Sequence, residues 1–324
     1  MANQDWIKSC AHAAGGTRNY KLWVPPSRDV GESAPLLMLL HGCTHNAEAM
    51  AEISGMNEVA EANRFLVVYP EQRRRPNLMK CWNWFNPKHQ SRDGGEPSIL
   101  AAIVEQVCAS HNIDSDRIYV AGVSAGGAMA VIMAACYPDI FSGLAVCGGA
   151  EFKSATSLSS GFKVMKLGGP DPALQGQAAF EAMKPGLARK NRQRMPVIVF
   201  HGTADIRVNP VNAEQIIAQW SKTNSCLASQ DRGNSVELSE KISHSQVPGG
   251  RAYQKYAYTD QNGDLLIERW MIEGMGHAWP GSPRAHQYGD PKAPRASEEI
   301  WRFFKESRSK SHDASATTQI ASVE

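Results

Sequence analysis

The sequence lacks any apolar run long enough to cross a bilayer as a helix, which excludes a helical membrane span. It lacks an excess of charge of either sign. Its 34 Lys and Arg stand against 32 Asp and Glu, and the net charge of +2 gives no global attraction to nucleic acid, so charge arguments fall to local clusters. Cysteine is sparse and odd in number, seven in 324 residues, and no pair has metal-finger spacing. A dense disulfide framework and a structural zinc site are therefore excluded, and no cofactor or metal is expected. Buried thiols are the default, with a single bridge, for instance Cys43 to Cys81, left open in an oxidising compartment. The opening MANQDWIKSCAHAAGG has no apolar core of the kind a secretory leader requires. The expectation is a cytoplasmic protein, or a secreted or periplasmic one whose leader has been removed. There is no internal repeat.

What is present is the composition of an ordinary globular domain, 42% hydrophobic and 20% charged, with enough length to bury one large core. From residue 34 onward short apolar runs alternate with helical patterns, the signature of parallel strands joined by crossover helices. Strands are expected at 34–42, 65–72, 116–124, 142–150 and 196–205. Helices are expected at 47–64, from Glu96 to about Ser110, at 212–224 and at 297–307, with a helical insertion between the last two strands. AYQKYAYTD and LLIERWMIEGMG form an expected antiparallel pair around Gln261-Asn262-Gly263, where Asn-Gly suits a tight hairpin turn. The fold class is α/β, a single domain over 1–307 with a mostly parallel central sheet flanked by helices. The tail 308–324 has little to bury and is expected to be disordered.

Ser124 stands in YVAGVSAGGAM, between an expected buried strand and an expected helix. The spacing Gly122-x-Ser124-x-Gly126 is weak evidence alone. In that context it is where a nucleophile elbow sits, since side chains at the two glycines would collide across the strained turn. A serine hydroxyl is a poor nucleophile and needs a base, and the base needs a group that fixes its tautomer. In this architecture the chain order is serine, acid, histidine. His277, in the Gly-rich EGMGHAWPG after a strand, is the candidate base, whereas His201 is expected to shape a turn. Asp205, in HGTADIRVNP, is the candidate acid, and Asp260 and Asp264 beside the hairpin turn are weaker candidates. The oxyanion donors are expected to be the backbone N–H groups of Ala125, at the start of the helix, and Cys43, in LLHGCTHN.

At these residues the chain resembles the polyhydroxybutyrate depolymerase-like esterase family, within the α/β-hydrolase fold. The stretches that carry the resemblance are LHGCTHN, YPEQ leading to CWNWF, RDGGEP, GVSAGGAM, HGTADIRVNP and GMGHAWPG, in that order over roughly residues 17–305. The resemblance implies the same roles for Ser124, Asp205, His277, Cys43 and Ala125, and it implies that Trp82, Trp84 and Trp279 lie near the cleft. Its substrates range over short-chain polyhydroxyalkanoates, feruloyl and acetyl-xylan esters and, with an amide bond, poly(aspartic acid). The first is the leading expectation, a polymeric or oligomeric ester cleaved through an acyl-enzyme. A non-catalytic binding protein on this fold would normally have lost a triad member, and none is missing. The loop EQRRRPNLMKCWNWF joins Arg73, Arg74, Arg75 and Lys80 to the tryptophans, so these arginines are candidate contacts for a polyanion, with a solvated basic loop as the alternative.

Overall fold

In the computed structural model the described residues are 6–29, 31–190, 194–232 and 238–307, with backbone alone for 230–232. The chain opens with an antiparallel hairpin of β1 (Ile7–Ala13) and β2 (Gly16–Trp23). It continues through β3 (Ala34–Leu40), α1 (Ala47–Ser54), α2 (Met56–Asn63), β4 (Leu66–Glu71), α3 (Gly95–Ser110), β5 (Ile113–Val123), α4 (Ala125–Cys136) and β6 (Leu144–Cys147). The insertion α5 (Leu158–Leu167) and α6 (Pro172–Leu187) precedes β7 (Val197–Gly202) and α7 (Val211–Arg232). The chain then forms β8 (Ser239–Gln246), β9 (Ala252–Thr259), β10 (Leu265–Ile272), the short parallel pair β11 (Trp279–Pro280) and β12 (Gly289–Asp290), and α8 (Ala296–Glu306). The main sheet has ten strands in the order β1-β2-β4-β3-β5-β6-β7-β10-β9-β8. Its centre, from β4 to β10, is parallel, and antiparallel pairs close both edges.

The central strands read as unbroken apolar runs because helices cover both faces. In β3, Leu36, Met38 and Leu40 join the cluster that includes α3, α4 and the insertion. Leu37 and Leu39 join the opposite cluster beneath α1, α2 and α8. There α8 stacks Trp301 on Phe65, centroids 4.0 Å apart, and Phe304 on Tyr119 at 4.3 Å. Every residue of α4 is buried, and its alanines and glycines let it lie close against the sheet. Among the described residues no helix is long and apolar enough to cross a membrane.

The expected α/β architecture and the hairpin around Asn262-Gly263 are present, β9 and β10 pairing antiparallel. The expected helix over 47–64 is two helices, broken at Gly55, which takes a left-handed φ of 61°. The hairpin β1–β2 and the edge strand β8 carry no expectation from the sequence: β8, SEKISHSQ, is exposed at every position and has no apolar alternation to betray it. Polar edge residues of this kind discourage pairing with another chain. The tail 308–324 lies outside the described residues. Of the free cysteines, Cys136 and Cys147 are buried as expected, whereas Cys10 and Cys108 are exposed.

One buried group works against stability. Glu151, just past β6, is 3% exposed, and neither carboxylate oxygen has a hydrogen-bond partner among the described residues. Its carboxyl packs against Gly169 in the α5–α6 link, where an added Cβ would overlap it. Burial, with the Asp171 charge adding to it, pushes its pKa up to about 8. Above the ordinary glutamate value of about 4.3 the unfolded chain releases this proton while the folded chain retains it. Stability therefore falls as pH rises toward the folded value and is not regained beyond it. Glu151→Gln removes the titration at nearly constant shape. Its Tm is expected to exceed that of the native protein by a margin that is small near about pH 5 and grows toward about pH 9. A margin independent of pH in thermal melts contradicts this.

Candidate active site

Ser124 occupies the turn from β5 into α4 with φ 57° and ψ −124°, a conformation rarely adopted by a residue with a Cβ. The turn is held from both sides, Ser124 N–H donating to the Cys147 carbonyl at 2.9 Å and the Ser124 carbonyl accepting from Ala128 N–H at 3.0 Å. Both flanking glycines are sterically required. A Cβ on Gly122 would overlap Gly126, and one on Gly126 would overlap the carbonyls of Leu40 and His41. The end of β3 is thus seated directly against the elbow, which brings the loop Gly42-Cys43 to Ser124. Among the described residues neither the Cys43 N–H nor the Ala125 N–H has an acceptor within the protein.

The β3 loop is pinned by groups invisible to a motif search. His41 is fully buried, its Nδ1 2.7 Å from the Gly42 carbonyl and its Nε2 3.0 Å from the Gln72 N–H. Accepting from an N–H leaves Nε2 without a proton, so Nδ1 donates. Burial lowers the pKa of this imidazole to about 4 and keeps it neutral. Trp82 Nε1–H donates to the His41 carbonyl at 3.1 Å, Thr44 N–H donates to the Met79 carbonyl at 2.6 Å, and a disulfide joins Cys43 to Cys81. Buried Glu96, in RDGGEP, anchors the far side. It accepts from Arg18 Nη2 at 3.0 Å, from the Asn83 backbone and side-chain N–H groups at 2.8 Å each, and from Gln72 Nε2.

Asp205 follows β7 and is 6% exposed. Its Oδ1 accepts from the backbone N–H groups of Arg207 and Val208, both at 2.9 Å, and its Oδ2 lies 2.7 Å from His277 Nδ1 and 3.3 Å from His201 Nε2. Burial alone would raise its pKa, but the hydrogen bonds from His201 and His277 outweigh it and hold the carboxyl well below the usual carboxylate range. An ionised carboxylate only accepts, so His277 Nδ1 donates to it and Nε2 is the ring nitrogen left to face another partner. The His277 ring lies against Gly148, where an added Cβ would be 3.2 Å from Cε1. Gly148 and Ser124 line the same cavity. His201 Nε2 also donates to the Val208 carbonyl at 2.9 Å, so it braces the acid loop, as expected for a turn-shaping histidine. Asp260 and Asp264 are engaged by Arg194 Nη1 at 3.2 and 3.1 Å, away from the serine.

The cavity beside Ser124 has a volume of about 270 Å³. Cys43 and Ala125 line it with Ser124, and its walls are nearly all apolar, with Trp84, Phe85, Phe162 and Met165 prominent. Of the three tryptophans expected near the cleft only Trp84 lines it. Trp82 is fully buried, with its indole spent on the His41 carbonyl. Trp279 is likewise buried, in the cluster on the other side of the sheet, its Nε1–H donating to Ser297 Oγ at 3.2 Å. Arg73, Arg74 and Arg75 are exposed and absent from the lining, although Asn77, Met79 and Cys81 of the same loop are present in it. Their guanidinium groups are therefore solvated, on a loop whose later residues reach the cavity. Sequence reasoning missed the contribution of α5, whose Leu158, Gly161, Phe162 and Met165 form one wall. The available signal was SLSSGFKVMKL, where Leu158 and Phe162 remain 55% and 60% exposed because they face the cleft. Among the described residues no group of three or more His, Cys, Asp or Glu is placed to hold a metal ion.

Poly(3-hydroxyalkanoate) depolymerase C of Paucimonas lemoignei is 35% identical over 252 residues, 78% of this chain and 56% of that protein, so the chain spans little more than half of that relative's length. Feruloyl esterase B of Thermothelomyces thermophilus is 28% identical over 259 residues, 79% of this chain and 82% of that protein. The acetyl xylan esterase structure from Aspergillus awamori superposes with a TM-score of 0.69 at 19% identity, covering 93% of this chain and 98% of that one, a likeness of fold. The family model described as esterase PHB depolymerase matches residues 18–243, and with the elbow, the acid loop and the histidine loop brought together at one end of an α/β-hydrolase sheet, the chain belongs to that family.

Proposed function

We propose that this protein is a serine carboxylic ester hydrolase acting through an acyl-enzyme, and that its substrate is a short-chain polyhydroxyalkanoate or its oligomers. The observation that carries the reading is the 2.7 Å bond from His277 to an ionised, fully braced Asp205, with the His277 ring against Gly148 in the lining of an apolar cavity that the strained Ser124 also lines. In this reading His277 Nε2 takes the Ser124 proton as Oγ attacks the ester carbonyl, and the negative charge on the tetrahedral oxygen is met by the N–H groups of Cys43 and Ala125. His277 then gives the proton to the departing alkoxide. Water, deprotonated by the same imidazole, releases the acid. Asp205 holds the tautomer and stabilises the imidazolium without itself taking the proton.

The apolar walls suit the short alkyl side chain of a hydroxyalkanoate unit and exclude solvent from the acyl carbon. Exposed Leu78, Met79, Leu158, Phe162 and Ile206, each more than half exposed, extend this character around the site and suit a poorly soluble ester. An aromatic acyl group is the second reading, favoured by the edge-to-face pair Trp84 and Phe85 in the wall, ring centroids 5.8 Å apart, and by the likeness to a feruloyl esterase. A polyanion in the cavity loses its support once Arg73, Arg74 and Arg75 stand outside it.

Initial rates on p-nitrophenyl butyrate, amorphous polyhydroxybutyrate, methyl ferulate and poly(aspartic acid) test the substrate, with the polyester oligomers expected to be preferred. Ser124→Ala is expected to lower kcat by about 10⁴-fold or more with the fold intact, and near-normal turnover would refute the assignment. Asp205→Asn is expected to lose about 10⁴-fold by spoiling the tautomer. Because Asp205 is held ionised, a single protonation should govern the acid limb of kcat/KM, the rate rising with pH as the imidazole becomes neutral. A limb that needs two protons contradicts this account.

A further inference from the structure

Beside the acid and base stands a cluster that the reaction as described does not use. Arg207 is exposed, two residues beyond Asp205, and its backbone N–H is tied to the Asp205 carboxylate at 2.9 Å. Its guanidinium lies 5.5 Å from the centroid of the Tyr288 ring, and among the described residues it forms no ion pair with a carboxylate. The Tyr288 ring meets the His45 ring edge-to-face at 4.8 Å, and His45 is two residues beyond Cys43. The Tyr288 carbonyl accepts from Trp279 N–H at 2.8 Å, which fastens Tyr288 to the segment that carries His277. The three loops that deliver an oxyanion amide, the acid and the base thus also deliver His45, Arg207 and Tyr288 to one spot. None of these three side chains lines the apolar cavity.

This placement has a direction. The imidazole that returns its proton to the departing alkoxide must have the leaving group beside it, so the leaving group lies on the side of the His277 loop while the acyl group fills the cavity. A planar cation seated on an aromatic ring, without a carboxylate of its own, is suited to bidentate recognition of an anion. Burial, together with the neighbouring His286, lowers the pKa of His45 and keeps that imidazole neutral, so the guanidinium is the cation of the cluster. In an ester between two 3-hydroxy acids the leaving alcohol carries its own carboxylate, one methylene from the carbinol carbon. One apolar unit on the cavity side and one anion beside His277 is the pattern of a short oligomer at its carboxyl end. A polyanion would also place a charge in the apolar cavity, at a desolvation cost.

We propose that Arg207, seated on Tyr288, forms a carboxylate subsite on the leaving-group side of the scissile bond, through which the protein selects short hydroxy-acid oligomers by their free carboxyl end. The inference rests on the ester-hydrolase reading above, and Arg207 acts in it as a specificity residue.

The test compares kcat/KM for the linear dimer of 3-hydroxybutyrate as free acid and as methyl ester, in the native protein, Arg207→Ala and Arg207→Lys, at low and high salt. The ratio of acid to methyl ester is expected to fall about tenfold or more in Arg207→Ala, chiefly through KM, to fall less in Arg207→Lys, and to decline with salt in the native protein. A ratio unmoved by Arg207→Ala, or both substrates declining together, overturns the subsite. Competitive inhibition of p-nitrophenyl butyrate hydrolysis by the same acid and methyl ester is read in parallel. If neither dimer is cleaved, the substrate reading fails, and the subsite is then judged on whether the acid inhibits more strongly than the methyl ester and loses that advantage in Arg207→Ala. Poly(aspartic acid) is the last arm: cleavage of it that depends on Arg207, with the dimers untouched, would overturn the hydroxy-acid assignment in favour of a polyanion.

Discussion

The site depends on one steric contact. Gly126, in the first turn of α4, lies so close to the carbonyls of Leu40 and His41 that no Cβ fits between them, and Gly122 faces Gly126 with as little room. Because of this contact the serine turn and the loop after β3 share one location. Ser124 is forced to positive φ and lines the cavity together with Ala125 and Cys43, whose N–H groups have no acceptor among the described residues. A side chain at either glycine would disturb the contact that keeps Ser124 beside the Ala125 and Cys43 N–H groups, the proposed oxyanion donors. Strain at Ser124 is stored here because the surrounding hydrogen bonds and packing over-determine it.

Around that contact the charges are arranged so that only one group has to change state. Asp205 is kept ionised by His201, His277 and two backbone N–H groups, and His41 is kept neutral by burial. Glu96 fixes the loop that carries Trp82 and Cys81, and the disulfide and the Trp82 indole pass that rigidity to the Cys43 amide. In the proposed mechanism the proton is exchanged by His277 alone. Preorganised dipoles of this kind need no rearrangement as charge develops on the reacting oxygen. Glu151 is the opposite case, a buried carboxyl with no hydrogen-bond partner among the described residues, beside the insertion that walls the cavity, and it lowers stability where the others secure geometry.

Much of this was legible in the sequence because the chemistry leaves short, ordered signals. Ser124 and Asp205 each follow an apolar run that reads as a buried strand, His277 follows a strand of the expected hairpin, and their order along the chain matches the fold that such strands build. Other features were not legible because they depend on what lies across space. Trp279 sits two residues from His277 yet turns into the opposite layer, since β11 pairs with β12 and directs the indole beneath α8. Trp82 looks like a platform and acts as a hydrogen-bond donor to a backbone carbonyl. The helix α5 carries apolar residues on its outer side, which reads as ordinary amphipathic noise until the cavity is seen beneath it. Gly55 breaks a continuous helical pattern because its left-handed φ suits a turn that Pro283 packs against.

The central claim is that Ser124 becomes acylated in the presence of Cys43 and Ala125 as oxyanion donors and His277 as base. It is tested most directly by trapping with an alkyl fluorophosphonate, which forms a stable tetrahedral adduct on an activated serine, followed by peptide mass spectrometry of the intact protein. The account predicts a single stoichiometric adduct on the peptide containing Ser124, formed at a rate that falls with activity in Asp205→Asn. Full loss of activity with the adduct on another residue, or persistent ester hydrolysis in protein fully modified at Ser124, would contradict it.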